Sequence, residues 1–430
     1  MYKKYLEFKD IHRLGQASFY LGAFFLSSAL PISLIFFLVS TSISFKINKF
    51  QIFKEKSSYF FLICSLVMIL SSINSSFNLQ NITEVNSLQI FASLFNWIPQ
   101  FILFLTSQIY LQTSDQRKTI IKFLIAGTFP VILSCILQLV FKIHGPFETL
   151  NGLIIWFQKP ITGGRGVSGL FSNQNYAAVW LTTLLPFTLF ELSNSKKIYL
   201  EKFSLIITNL LIVFFAIRTN SRNALLGLSI ASILLVRFRI LLIFITSFFA
   251  SFLLNIHKLV FYIFQDSNLI NIVIPSSLTS QFSIFNFNNF YEYPRIKIYT
   301  ITLDLISSNP FLGWGASTFS NLYRLKSNNG SHQHSHNIFL ELAFNFGIPL
   351  AIFMLVILIK LLIDSFRLIY KNNNNKLYSE KAWLVSSFII IICQLNDITY
   401  FDGKIGLLIW ILLTGLKCIL NENEKVLYNS

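Results

Sequence analysis

An all-α protein that crosses a membrane many times is the fold class this sequence predicts, and three observations predict it. Hydrophobic residues make up 54% of the 430-residue chain and charged residues only 12%, about half the charged share of an ordinary soluble domain (~25%). The mean hydropathy is +0.62. Long uncharged runs recur from end to end, and about 20 apolar residues suffice for a helix to cross the hydrocarbon core.

The first run, 16–45, is basic on both flanks: Lys3, Lys4, Lys9 and Arg13 precede it, and Lys46, Lys49, Lys54 and Lys56 follow. Basic residues collect in cytoplasmic loops, and one crossing cannot leave both flanks inside. The SSALP stretch at 27–31 supplies a break, because Pro31 removes a helical donor and restricts the residue before it. The run therefore reads as two short crossings. Its leader, MYKKYLEFKDIHR, has no small-residue cleavage site after it and is read as part of a retained span. Ten further runs follow at 58–77, 88–111, 119–142, 172–192, 203–219, 223–236, 239–256, 337–363, 382–400 and 404–420. The expectation is about twelve crossings with both termini cytoplasmic.

That topology puts 23 Lys/Arg on the cytoplasmic side and 11 outside. It also accounts for the net charge of +16 without invoking nucleic acid. The two cations divide unequally. Five of the ten arginines (Arg165, Arg218, Arg222, Arg295, Arg324) lie outside, against six of the 24 lysines. An outer surface that keeps arginine while shedding lysine selects for guanidinium. The four cysteines fall inside apolar runs, which points to neither a disulfide framework nor a zinc site.

Two outer loops are substantial, 143–171 and 257–336, and long loops are usually functional. Within the second, YPRIKIYTITLDLISSNPFLGWG predicts an amphipathic helix stopped at Pro310, lying at the interface with Trp314. The asparagine run at 372–375 reads as a solvated cytoplasmic linker.

The candidate chemistry lies outside. Arg165 stands in GGRG, whose glycines would let backbone N–H groups approach an anion. No Gly-Lys-Ser/Thr follows, so this is not a nucleotide P-loop. Arg222 sits in a short turn, RTNSRNALLG, and Arg295 opens the loop helix. Guanidinium pairs bidentately with phosphate oxygens, which lysine cannot match. Any one of these arginines could be a headgroup contact, but three in compact motifs favour phosphate recognition. His332, His334 and His336 alternate in SHQHSHN, with Asn337 opening the next helix. A metal site would want further ligands, and no HExxH motif or cysteine accompanies them; Glu341 is the only carboxylate nearby in sequence. His332 reads as a solvated loop residue. An imidazole with its ordinary pKa near ~6.5 is the usual base for activating a hydroxyl. Beside phosphate-binding arginines, it points to group transfer from a lipid-linked phosphate.

Four stretches together resemble the O-antigen ligase family, which includes the Wzy-type polysaccharide polymerases. They are GGRGVSGLFSNQNYAA, TNSRNALLG, YPRIKIYTITLDLISSNPFLGWGASTF and HSHNIFLELAFNFGIPL, spanning about 160–355. The resemblance implies a GT-C-like membrane glycosyltransferase in the bacterial inner membrane, with its active site on the periplasmic side. It implies an undecaprenyl-pyrophosphate-linked glycan donor, a glycan or lipid-core acceptor, no metal and no other cofactor, and inversion at the sugar. Residue by residue, it makes His336 catalytic and Arg165, Arg222 and Arg295 the diphosphate-binding set. His334 occupies a more variable position, and Asn173 and Asn175 match paired asparagines that shape a turn or touch substrate. The chain then divides into N-terminal membrane helices (1–159), a catalytic region with the outer loop (160–355) and C-terminal helices with a cytoplasmic tail (356–430). A polymerase and, from another class, a bicarbonate-type anion transporter are the alternatives. Transporter sites lie near the midplane on broken helices, whereas these polar residues cluster at one outer edge.

Overall fold

The computed structural model describes residues 2–79, 86–162, 164–193, 198–235, 294–327, 332–371 and 378–429. The expected run at 239–256 and most of the 257–336 loop lie outside them. The described residues are mostly helical, with one small antiparallel hairpin of β1 (Phe147–Thr149) and β2 (Ile154–Trp156). Seven helical segments among them are long and apolar enough to cross a membrane.

The break expected at 27–31 is present. Helix α1 (Tyr2–Phe25) ends before it and α2 (Leu30–Lys54) begins with Pro31 in its first turn. The two pack antiparallel: the Ser33 hydroxyl donates to the Gly22 carbonyl (2.7 Å), and the Phe19 and Phe37 rings meet at 5.7 Å. Helix α3 (Lys56–Asn78) follows. Two runs that read as continuous are broken. The 88–111 run comprises α4 (Ser87–Ala92), a 3₁₀ turn, and α5 (Ile98–Ser107) opening at Pro99.

Next come α6 (Ser114–Val140), α7 (Gln174–Leu192), α8 (Tyr199–Arg218) and α9 (Arg222–Leu235). Helix α7 is buried on every side, from Ala177 through Thr188, as expected of a helix apolar all round. Within the outer-loop sequence, α10 (Pro294–Ser308) stops before Pro310 as expected. It buries Ile298, Thr302, Leu305 and Ile306 at helical spacing and leaves Leu303 exposed. A short α11 (Phe319–Ser327) follows.

The second broken run, 337–363, is α12 (Ile338–Phe346) and α13 (Ile348–Lys371), parted at Gly347. That residue has φ +89°, and a Cβ there would stand 2.0 Å from the Phe311 carbonyl oxygen. The GWG turn docks against the same break, with Trp314 N–H donating to Phe344 O (2.7 Å) and Gly315 N–H to Asn345 O (2.9 Å). Trp314 thus builds the turn, and its indole N–H donates to Leu305 O. Helices α14 (Tyr378–Asn396) and α15 (Gly403–Asn429) complete the chain. All four cysteines are buried and free.

Helix α14 packs on α7, α9 and α15. Its two ends differ in chemistry. At its start, the almost wholly buried Arg117 of α6 pairs with Glu380 (3.4 Å) and Glu422 and donates to the Leu111 and Gln112 carbonyls. Its other end builds the site described below.

Gly347→Ala is expected to destabilise the protein by more than the ~1–3 kcal/mol of ordinary backbone strain, because the new Cβ also collides with a carbonyl. Thermal unfolding of the purified protein checks this; an unchanged melting temperature would refute the docking of the GWG turn on the helix break.

Candidate active site

Helices α7, α9, α10 and α12 all begin where α14 ends. Asn337 makes one of these junctions. Its side-chain oxygen accepts from the Phe339 and Leu340 N–H groups, capping α12, while its amide donates to Leu395 O (3.1 Å) at the end of α14. Asn173 caps α7 by accepting from the Asn175 N–H (2.9 Å), and the Ser221 hydroxyl accepts from the Asn223 N–H (3.2 Å) at the start of α9. Unsatisfied N–H groups and the helix dipole make such N-termini favourable places for an anion.

His336 sits immediately before the Asn337 cap with φ +57°, a left-handed conformation that histidine adopts more readily than most residues. Its N–H donates to His334 Nδ1 (3.3 Å), which closes the HSH turn. Buried Glu341 secures the turn from below by accepting from the Ser335 N–H (2.9 Å). So turned, the His336 ring places Nδ1 2.7 Å from Asp397 Oδ1, with the imidazole 26% exposed and the carboxylate 8%. Asp397, one residue past α14, also accepts from the Asn175 side-chain amide. Asn175 in turn accepts from the Ser221 hydroxyl (2.7 Å). Burial works to raise the Asp397 carboxyl, but His336, His334 and Arg295 outweigh it and hold the group below the usual carboxylate range. His334 is pushed down to about 4, first by burial and then by His336, so it is a neutral ring at neutral pH.

Arg295, second residue of α10, donates to the Asn396 side chain, whose amide donates to Asn223 Oδ1 (2.6 Å). Arg222 is the first residue of α9; burial, and after it the Arg295 cation, lowers its pKa. Both sit at helix N-termini, where the dipole disfavours cations. Arg165 is carried on a loop fixed to the α8–α9 turn: Val167 N–H donates to Arg218 O (3.0 Å) and the Asn220 amide to Gly164 O (3.2 Å). A Cβ on Gly166 would meet the Thr219 carbonyl at 2.1 Å. Gly166 thus serves close packing, and its N–H goes to Gln174 Oε1 (2.8 Å) while the Arg165 N–H goes to Thr162 O. The Arg165 side chain itself is exposed.

The structure therefore brings together His334, His336, Asn175, Arg222 and Arg295, and assigns Asn173 to a cap. His332 is half-buried, its ring edge-on to Tyr323 at 5.1 Å. Two corrections follow. Glu341, the only carboxylate near the histidines in sequence, holds the backbone turn; the carboxylate on the His336 ring is Asp397, 61 residues further on. The sequence reading missed Asp397 by absorbing it into the 382–400 run. The signal was a charged residue within that run, which by itself suggests function. His334, His336 and Asp397 also have ligand atoms within 4.8 Å of one another, a spacing that could hold a divalent ion. Chemically, the His336–Asp397 pair can orient a base whose Nε2 faces outward, beside cations and four helix N-termini.

A search of the curated proteins finds no match to the chain. The family model Wzy_C, described as O-antigen ligase, matches residues 207–355, the segment that supplies Arg222, Arg295, His334 and His336. Over that segment, about a third of its length, the chain is similar to the O-antigen ligase family.

Proposed function

We propose that the protein is a membrane glycosyltransferase that moves a glycan from an undecaprenyl-pyrophosphate-type carrier to an acceptor hydroxyl, in surface-polysaccharide assembly. The observation that carries this reading is the meeting of a His–Asp pair with the helix N-termini that bear Arg222 and Arg295, joined through Asn396 and Asn223. Two guanidinium groups at positive dipole ends are unfavourable by themselves and become favourable around a diphosphate. The reading takes the chain as GT-C-like, with about twelve crossings of the inner membrane and this site on the periplasmic side. The acceptor is the lipid core for a ligase or a second lipid-linked glycan for a polymerase, and the residues named serve either.

In the reaction, the acceptor oxygen attacks the sugar C1 as the C1–O bond to the diphosphate breaks, its electron pair leaving with the phosphate oxygen. His336 Nε2 takes the hydroxyl proton. Asp397 fixes the Nδ1–H tautomer and stabilises the imidazolium that forms. Arg222, Arg295 and the exposed Arg165 receive the charge that develops on the diphosphate. Asn175 holds Asp397 in place. A single displacement with no covalent enzyme intermediate inverts C1, and the arginines supply the charge that a metal would otherwise provide.

His336→Ala is expected to abolish transfer and Asp397→Asn to lower it by about 10²–10⁴, the usual worth of general-base help. His334→Ala falls between, and His332→Ala is tolerated. The glycan profile of a complemented deletion strain reads all four; an active His336→Ala protein would leave the reading without its base. EDTA should have no effect, and inactivation reversed by a divalent ion would turn His334, His336 and Asp397 into a metal site.

Arg222→Lys and Arg295→Lys are expected to insert normally yet lose most activity, because an ammonium keeps the charge without the bidentate fork. Lys297→Ala, on the exposed side of α10, should be mild. Full transfer by both lysine variants would reduce these arginines to headgroup contacts.

Acid should destabilise the fold. The His334 pKa lies at about 4 in the folded protein and near its ordinary ~6.5 when unfolded, so the folded state disfavours its charged form. That contribution is complete above about 6.5 and lost as pH falls toward 4. The depressed Asp397 carboxyl acts in the same direction, losing its contribution as pH drops through its folded pKa. Melting temperatures between pH 7.5 and 4.5 should fall, and less steeply in His334→Gln; identical slopes would show that His334 is not held neutral by the fold.

A further inference from the structure

Behind the reaction centre lies a cavity of about 390 Å³, within the ~300–1,000 Å³ range of small-molecule sites. Its walls come from five places: the α1–α2 turn at Ser28, β2 at Trp156, the loop at Leu170 and Ser172, the first turn of α7 at Tyr176, and residues 401–404 at the start of α15. Trp156 is fastened over the turn by its indole N–H, which donates to Ser28 O (2.6 Å). Tyr176 is the shared partition. It lines the cavity, and its neighbour Asn175 donates to Asp397 of the site.

Two charged residues at the cavity have hydrogen-bonding capacity that local packing does not use. The Asp402 Oδ1 accepts from the Lys404 and Ile405 N–H groups (3.0 and 3.3 Å) and so caps α15. Its Oδ2 has no hydrogen-bond partner among the described residues. Lys404 Nζ donates to Leu170 O (2.7 Å) and lies 4.7 Å over the Phe171 ring. That tie to the 165–173 loop uses one of the ammonium's three donors.

We propose that this cavity is a saccharide subsite that seats one uncharged sugar ring of the glycan next to the reaction centre. The assignment rests on the glycosyl transfer proposed above. A sugar hydroxyl both donates and accepts, so it can bridge a carboxylate oxygen and an ammonium, while its apolar C–H face packs on Trp156 or Tyr176. The two charges cancel, which fits a neutral polyol. A phosphate would meet the Asp402 carboxylate and be repelled, and a plain acyl chain would strand both charges.

The test uses the full chain in lipid nanodiscs, which avoids sugar-headed detergents. Saturation-transfer NMR with methyl glucoside, methyl galactoside and methyl N-acetylglucosaminide is expected to detect binding of at least one. Asp402→Asn and Lys404→Met should weaken it about tenfold or more, the usual cost of losing a charge-assisted hydrogen bond. Lys404→Arg should retain it and guards against misfolding. His336→Ala should bind the glycoside normally while failing in transfer, which separates this inference from the catalytic reading. In transfer assays, a raised KM for the acceptor in Lys404→Met would make the sugar the acceptor's, and a raised KM for the donor would make it the donor's. No glycoside bound by the native protein, or binding unchanged in both Asp402→Asn and Lys404→Met, would overturn the proposal.

Discussion

The site depends on one largely buried carboxylate. Removing Asp397 from water without partners would cost several kcal/mol or force it to take up a proton. The chain answers with a donor from each side: the His336 ring from the turn before α12 and the Asn175 amide from the start of α7. Asn175 is itself held by Ser221 at the start of α9, and Asn396, the residue before Asp397, links Arg295 to Asn223. Satisfying this acceptor gathers the starts of α7, α9 and α12, and the adjoining Asn396 adds the start of α10. The geometry that suits the proposed catalysis is also the geometry that solves a solvation problem.

The two ends of α14 divide the electrostatic work. They are roughly 28 Å apart for 19 residues at about 1.5 Å each. At the start, Arg117 meets two carboxylates and two carbonyls, an arrangement in which nearly every charge is answered within the fold. At the far end, arginines stand at helix N-termini that already carry positive partial charge. The closed cluster ties α6, α14 and α15 together at one end, while the opposite end carries the arginines and the His336–Asp397 pair.

Much of this was legible in the sequence, for identifiable reasons. Hydropathy revealed the helices because a membrane demands long apolar runs, and basic flanks around 16–45 revealed a hairpin that hydropathy alone would have merged. The arginines and His336 could be read because each sits in a short polar motif against an apolar background. The breaks at Gly347 and near Pro99 were not legible, because hydropathy averages over a turn whose cause is a carbonyl pressing on a Cβ-free residue. Asp397 was lost for a related reason: one charge at the end of a run barely moves the average. Its pairing with His336 spans 61 residues, and no local pattern encodes it. The packing role of Gly166 was not legible either, since a glycine needed for close packing looks the same in sequence as one needed for an anion.

The left-handed backbone at His336 closes this position to variation from two directions. Few residues other than glycine enter that region cheaply; asparagine, aspartate and histidine are the common exceptions. Glycine would relax the turn but bring no ring, and a β-branched residue would oppose the turn itself. Asparagine and aspartate could keep the turn, but neither offers a second nitrogen facing outward while the first is bound to a carboxylate. Drift at this position therefore has no intermediate that keeps both the turn and the chemistry. On the proposed mechanism, a descendant that lost this histidine would have to move its base to another element, not replace it in place.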